Sequence, residues 1–332
     1  MTPRSLALAL TLATSPLTLA PGIAQAAAPQ VKTQAPGYYR VMLGDFEITA
    51  LSDGIGSFPM DTMLPNVAPD KVRAALARNH QATPVETSIN AFLVNTGSQL
   101  ILVDTGVGNN IPKAGGRLLT ALKAAGYTPD QVDAVLVTHL HPDHVGGLTG
   151  ADGKPAFANA TVYISAEEQG YWLNAAAEAK VAEGKRGGFK VAHAALDPYA
   201  AAGRLKTFEG ATTLFPGITT VPAHGHTPGH TFYAAESQGQ KMLFWGDTVH
   251  VAAVQFDNPA AVIVFDSDNK AAAAERASVF ADAAKQGYWV AAAHISFPGI
   301  GHVRTKDATD GKVDAKSYVW LPAQYSVAGL TP

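Results

Sequence analysis

Thr138-His139-Leu140-His141-Pro142-Asp143-His144 places three imidazoles and a carboxylate within six residues. The run before it, residues 132–137, is apolar apart from Asp133 and rich in β-branched side chains, which predicts a strand buried on both faces. Pro142 and the pair Gly146-Gly147 predict a sharp turn afterwards, so the four polar residues sit on a loop at the carboxyl end of that strand. Histidine nitrogen and carboxylate oxygen are the donors that zinc and similar divalent ions accept. His139 and His141, two residues apart, can face one ion, and Asp143 and His144 can face a second beside it.

Working outward, the 332 residues suit one large domain or two small ones, and 47% are hydrophobic, enough for a substantial core. The absence of cysteine removes disulfides, thiolate ligands and cysteine nucleophiles together. A net charge of −3 gives no basis for a nucleic-acid or membrane-surface partner. At the N-terminus, Arg4, an apolar stretch from Leu6 to Leu19 broken at Ser15-Pro16, and Ala24-Gln25-Ala26 have the pattern of a signal peptide spanning residues 1–26. Export to a periplasm, or secretion, is the expectation. Residues 27–35 read as a leader and 36–332 as a single domain.

Within that domain, alternation predicts strands at 39–43 and 46–51, with Ser52-Asp53-Gly54 as a turn and an apolar loop at 55–66. A helix is expected over 69–79, strands over 91–95 and 100–103, and a helix over 116–125. Residues 151–210 are alanine-rich and read as an insertion beside the site, holding one strand at 161–165, helical pieces, and Tyr171, Trp172 and Phe189. Strands are expected again at 218–222, 231–235, 241–245, 262–265 and 288–293. Asp268 as cap and Gly287 as stop frame a helix over 270–286. The order suggests an α+β fold of two sheets with helices outside.

Two ions need more than four ligands, and later strand ends offer them. His230 closes His224-Gly225-His226-Thr227-Pro228-Gly229-His230, Asp247 follows the apolar run 242–245, and His294 follows 288–293. A carboxylate such as Asp247 has two oxygens and can bridge two ions. His302 competes with His294 but lies in a glycine-rich stretch, so His294 is preferred. His224 and His226 are expected to shape their turn or to support a ligand, and His80 and His193 to lie at the surface. Asp104, in Asp104-Thr105-Gly106, is expected to hydrogen-bond a ligand imidazole and fix its orientation.

With these motifs the chain resembles the metallo-β-lactamase superfamily. The family's His-x-His-x-Asp-His motif stands as His139, His141, Asp143 and His144, its Thr-Pro-Gly-His motif ends at His230, and its Gly-Asp motif supplies Asp247. Stretches at 35–40, 43–54, 139–147, 224–230, 251–256 and 296–302 are most similar to the methyl parathion hydrolase-like branch of organophosphate hydrolases and lactonases. The resemblance implies a four-layer αβ/βα sandwich, two central β-sheets flanked by helices, and a homodimer. It assigns one metal to His139, His141 and His230, a second to Asp143, His144 and His294, and the bridge to Asp247, with Asp247 and Asp143 the carboxylates of catalysis. Two divalent ions, zinc first with manganese, cobalt, iron and cadmium also compatible with these donors, are implied as cofactors.

A water shared by two such ions loses a proton near neutral pH and attacks carbonyl carbon or phosphorus while the ions polarise the acceptor oxygen. The expected activity is a lactonase or arylesterase, with phosphotriester hydrolysis accompanying it. A dedicated phosphotriesterase and a non-catalytic periplasmic metal-binding protein are the alternatives. Phe58, Trp172, Phe189 and Phe265, with Ile263 and His250 nearby, are the expected walls of a pocket for an acyl or aryl group. Ile111 stands where the resemblance implies an aromatic ring, and His250 and Phe265 where it implies leucines.

Overall fold

Two sheets of seven strands each form among the described residues. The computed structural model describes residues 28–111, 114–307 and 313–326. The expected signal peptide lies outside the described residues. Residues 28–35 are exposed, without helix or strand. Contacts divide the chain after Ala35, and the unit from Pro36 onward holds both sheets.

The first sheet runs in chain order through β1 (Tyr38–Leu43), β2 (Phe46–Phe58), β3 (Val85–Asn95), β4 (Leu100–Val103), β5 (Ala134–Leu136), β6 (Thr161–Ser165) and β7 (Leu205–Phe208). Pairing is antiparallel from β1 to β4 and parallel from β4 to β7. The second holds β8 (Thr213–Phe215), β9 (Ile218–Pro222), β10 (Thr231–Ser237), β11 (Gln240–Phe244), β12 (Trp289–Ala291), β13 (Ile300–Asp307) and β14 (Val313–Pro322), also in order. Here β11 and β12 are parallel and the other neighbours antiparallel. The helices are α1 (Met60–Met63), α2 (Pro69–Arg78), α3 (Leu118–Ala124), α4 (Pro142–Val145), α5 (Ala166–Trp172), α6 (Ala175–Lys180), α7 (Gly187–Ala201), α8 (Ala252–Gln255) and α9 (Asn269–Gln286).

Burial alternation shows how these elements stack. In β5, Ala134 and Leu136 pack between the sheets with Phe92, Ile101, Tyr233 and Phe244. Val135 and Val137 point the other way, against Leu118 and Leu122 of α3 and Phe189 and Leu196 of α7. Across the molecule, Leu243 and Val290 of the second sheet pack on Val279, Phe280 and Ala283 of α9. Helices, sheet, sheet, helix is therefore the layering, and each central strand is apolar on both faces because both are covered. α9 starts where Asp268 Oδ1 accepts the N–H groups of Lys270 and Ala271, both at 2.9 Å, and stops at Gly287, whose φ of 68° is left-handed.

Several expectations change. Residues 52–58 are not turn and loop: β2 continues to Phe58 through an irregularity between Ser52 and Gly54. Asp53 is buried there, and its carboxylate accepts the N–H groups of Val107 (2.9 Å), Gly116 (3.0 Å) and Leu118 (2.9 Å). The segment 151–210 is no appendage, since β6 and β7 complete the first sheet. Residues 262–265 form a turn rather than a strand, because Asp266 Oδ2 accepts the N–H of Ile263 (3.0 Å) and bends the chain locally. His302 lies in β13, its ring 3.9 Å from that of Trp289.

Candidate metal centre

Parallel strands end at one edge of a sheet, so loops after their carboxyl ends meet there. Asp104 follows β4, the histidine loop follows β5, Asp247 follows β11 and His294 follows β12. The loop between β9 and β10 brings His226 to the same place. Both sheets thus contribute to one cluster.

Three overlapping groups form within it, the third joining His250 to Asp247 and His294, which also belong to the other two. His139, His141, His226 and Asp247 offer ligand atoms that all lie within 4.8 Å of one another. His141 Nδ1 stands 3.0 Å from His139 Nε2 and 3.0 Å from His226 Nε2, while Asp247 Oδ2 is 3.5 Å and 3.2 Å from those two Nε2 atoms. In the second group, Asp247 Oδ1 is 2.9 Å from His144 Nε2 and 3.0 Å from His294 Nε2, and Asp143 Oδ2 is 3.8 Å and 3.4 Å from the same nitrogens. Asp247 turns one oxygen to each group.

These residues fit two cations. Ring nitrogens 3.0 Å apart set lone pair against lone pair unless a proton or cation stands between them. His144 Nε2 and Asp247 Oδ1 are buried and only 2.9 Å apart, yet they are not aligned for a hydrogen bond with each other. An all-nitrogen-and-oxygen donor set of this kind suits zinc and its neighbours.

Protonation follows from burial and neighbours. Burial holds His139 and His141 well below the usual imidazole value, so both rings are neutral donors. For His144 burial acts downward, but the carboxylates of Asp247, Asp104 and Asp143 outweigh it and raise the ring well above its usual value. Burial would raise Asp247, yet the surrounding imidazoles, His144 first, hold it well below the carboxylate range. His226 is likewise penalised by burial and pushed up to about 9 by Asp247 and Asp266.

Each ligand ring is aimed by a second contact. Asp104, with φ 60°, accepts from His144 Nδ1 (2.8 Å) at Oδ2 and from the Thr138 N–H (2.8 Å) at Oδ1. The Ser88 carbonyl holds His294 Nδ1 at 2.8 Å. Asp266 Oδ1 holds His226 Nδ1 at 2.8 Å, and Trp172 sets its ring edge-on to His141 at 5.5 Å. Asp266 has no motif to announce it, since it lies forty residues from the ring it aims.

The structure corrects the place given to His230. Its Nδ1 bonds the Ala223 carbonyl at 3.1 Å and its Nε2 accepts the Asp247 N–H at 3.1 Å, so both nitrogens are spent on backbone. Burial pushes this ring down to about 3, which keeps it a neutral acceptor. His226, four residues earlier, takes the position facing the ions. His294 lies in the cluster and His302 does not.

A cavity of about 210 Å³ opens onto the cluster, lined by Phe58, Met60, Thr87, Ile111, Phe265 and His250 above His141, Asp143, Asp247 and His294. Trp172, Phe189 and Ile263, expected in its wall, are buried packing residues instead. Met60, at the start of α1, and Thr87, in the part of β3 that precedes its predicted start, take their place. His250 Nε2 lies 3.0 Å from Asp247 Oδ2, so it borders the ions as well as the pocket. His80 is exposed and His193 is half-exposed beside Asp197.

A sequence model of the metallo-beta-lactamase superfamily matches residues 84–294. An N-acyl homoserine lactonase of a Bacillus species is 23% identical over 212 residues, covering 57% of this chain and 76% of the relative. The crystal structure of the hydrolase AbOPH, in the beta lactamase superfamily, superposes with a TM-score of 0.83 at 40% identity, covering 89% of this chain and all of that one (100%). AidC, a dizinc quorum-quenching lactonase solved with its product N-hexanoyl-L-homoserine, gives 0.78 at 26% identity over 87% of this chain and 98% of its own.

Proposed function

The chain belongs to the metallo-beta-lactamase superfamily, and from that premise we propose that it is a binuclear metal-dependent hydrolase of lactones and aryl esters, with phosphotriester hydrolysis accompanying them. The observation that carries this reading is the apolar cavity whose floor is the two ligand groups. Two divalent ions, zinc first, would supply there an activated water and positive charge facing the substrate's acceptor oxygen. Phe58, Met60, Ile111 and Phe265 form the apolar wall that receives an acyl or aryl group. Thr87, whose buried hydroxyl has no partner among the described residues, adds one polar contact to that wall. Asp247 holds both groups in register through its two oxygens. The lactonase relatives support a lactone as substrate.

The test is kcat/KM of the metal-loaded protein on an aliphatic lactone, p-nitrophenyl acetate and methyl parathion, side by side. The lactone or ester is expected to lead by orders of magnitude, and Asp247→Ala to lose all three activities. If methyl parathion leads, the protein is a phosphotriesterase first. If all three fail with both ions bound, the metal-binding alternative takes over.

We also propose that residues 1–26 direct export. N-terminal sequencing of protein recovered from the periplasm should begin at Ala27, and recovery of the intact N-terminus there would refute it.

A further inference from the structure

Glu168 is a buried carboxylate that no part of the reaction touches. It lies on α5, beyond β6, and each of its oxygens accepts one backbone N–H: Oε2 from Leu140 at 2.9 Å and Oε1 from Gly229 at 2.8 Å. Leu140 stands between His139 and His141. Gly229 stands between His226 and His230. One side chain therefore joins the loop after β5, in the first sheet, to the loop before β10, in the second. Those two loops supply all three imidazoles of one ligand group.

The surroundings are built for this contact. Ser165 caps α5 by accepting the Glu168 N–H at 3.1 Å, and its hydroxyl donates to the Gly229 carbonyl at 2.9 Å. A side chain at position 229 would put Cβ 2.2 Å from Ser165 Oγ and 2.5 Å from Glu168 N, so only glycine lets the loop reach the helix. The other group is aimed differently, by Asp104 on His144 and by the Ser88 carbonyl on His294.

We propose that Glu168 is a positioning residue for the three-histidine ion site alone, locking the loops of His139, His141 and His226 to each other through its two oxygens. This rests on the two-ion reading of the centre. A carboxylate can accept at both ends, whereas an amide in its place sets an NH₂ group against one of the two N–H donors. Replacing Glu168 by glutamine therefore releases one loop while leaving volume unchanged.

The experiment is chelator competition on zinc-loaded protein, repeated with cobalt, whose visible spectrum separates a site with three imidazoles and one carboxylate from one with two imidazoles and two carboxylates. Wild type should hold two ions. Glu168→Gln should lose the three-histidine ion with affinity reduced by about 10–100-fold while the other ion holds as before. Ser165→Ala, which alters no charge, should weaken the same ion by a smaller factor, and it carries the test if the glutamine variant does not fold. Equal weakening of both ions, or none of either, overturns the role of Glu168. A wild type that retains no ion defeats the two-ion reading, and this proposal with it.

Discussion

His226 and His230 sit on one loop and do opposite work. His230 has both nitrogens engaged by backbone groups and is pushed down to about 3, so it titrates far below neutrality. His226 is pushed up to about 9 by Asp247 and Asp266, against the penalty of burial. A raised value means the ring carries its extra proton below about 9 and must lose it before Nε2 can bind a cation. Affinity of the three-histidine site should therefore rise with pH up to about 9, by about tenfold per unit where one proton is displaced, and level off above. At pH 7, each ion taken up there should release a proton from His226. Asp266→Ala removes one source of the shift, so release should shrink near pH 8. Calorimetric titration in two buffers of different ionisation enthalpy counts the protons, and equal counts for wild type and variant would contradict the assignment. The Thr-Pro-Gly-His motif contains one of these histidines and follows the other. Type and spacing cannot choose between them, because what separates them is the backbone groups that face each ring.

At the scale of elements, legibility followed burial. β5 and α9 were readable because a short apolar run, an Asp cap and a Gly stop are local signals. The far half of β2 was not, since Ser52-Asp53-Gly54 has the composition of a turn and its strand character comes from pairing with β3. Asp53 is the reason the irregularity persists: its carboxylate satisfies three N–H groups of the segment that runs from Val107 to Leu118. That segment follows Asp104, which aims His144, and includes Ile111, which lines the cavity. Asp53→Ala leaves three donors without an acceptor in a buried setting, and stability should fall by about 2–5 kcal/mol. Chemical denaturation measures this, and a loss under about 0.5 kcal/mol, the size of an ordinary surface substitution, would show that water or a rearranged loop replaces the carboxylate. Trp172 and Phe189 misled for a related reason. Their rings pack on each other at 4.8 Å, and an aromatic pair close in space to a ligand reads in sequence like a pocket wall.

At the scale of the molecule, the centre is where the two sheets meet. His139, His141, Asp143 and His144 come from the first sheet's loops, and His226, Asp247 and His294 from the second's. The sheets also share an apolar interface, with Phe92, Ile101 and Leu136 against Tyr233, Met242 and Phe244, so the halves have a packed core of their own away from the ligands. At the open edge, however, burial gathers imidazoles and carboxylates whose lone pairs and charges face each other. Cations bound there relieve that crowding only in the folded arrangement, because the unfolded chain scatters ligands that lie far apart in sequence. Binding to the folded state alone adds about 2.7 kcal/mol for each site at a free-ion concentration a hundredfold above Kd. Thermal unfolding with excess zinc should therefore occur at a clearly higher temperature than after exhaustive chelation, and the gap should widen with zinc concentration. Asp247→Ala takes away the carboxylate common to both groups, so its unfolding temperature should respond far less to zinc. If wild type and variant respond equally, the stabilising ions sit elsewhere on the protein, and the cluster is not the place where metal joins the two halves.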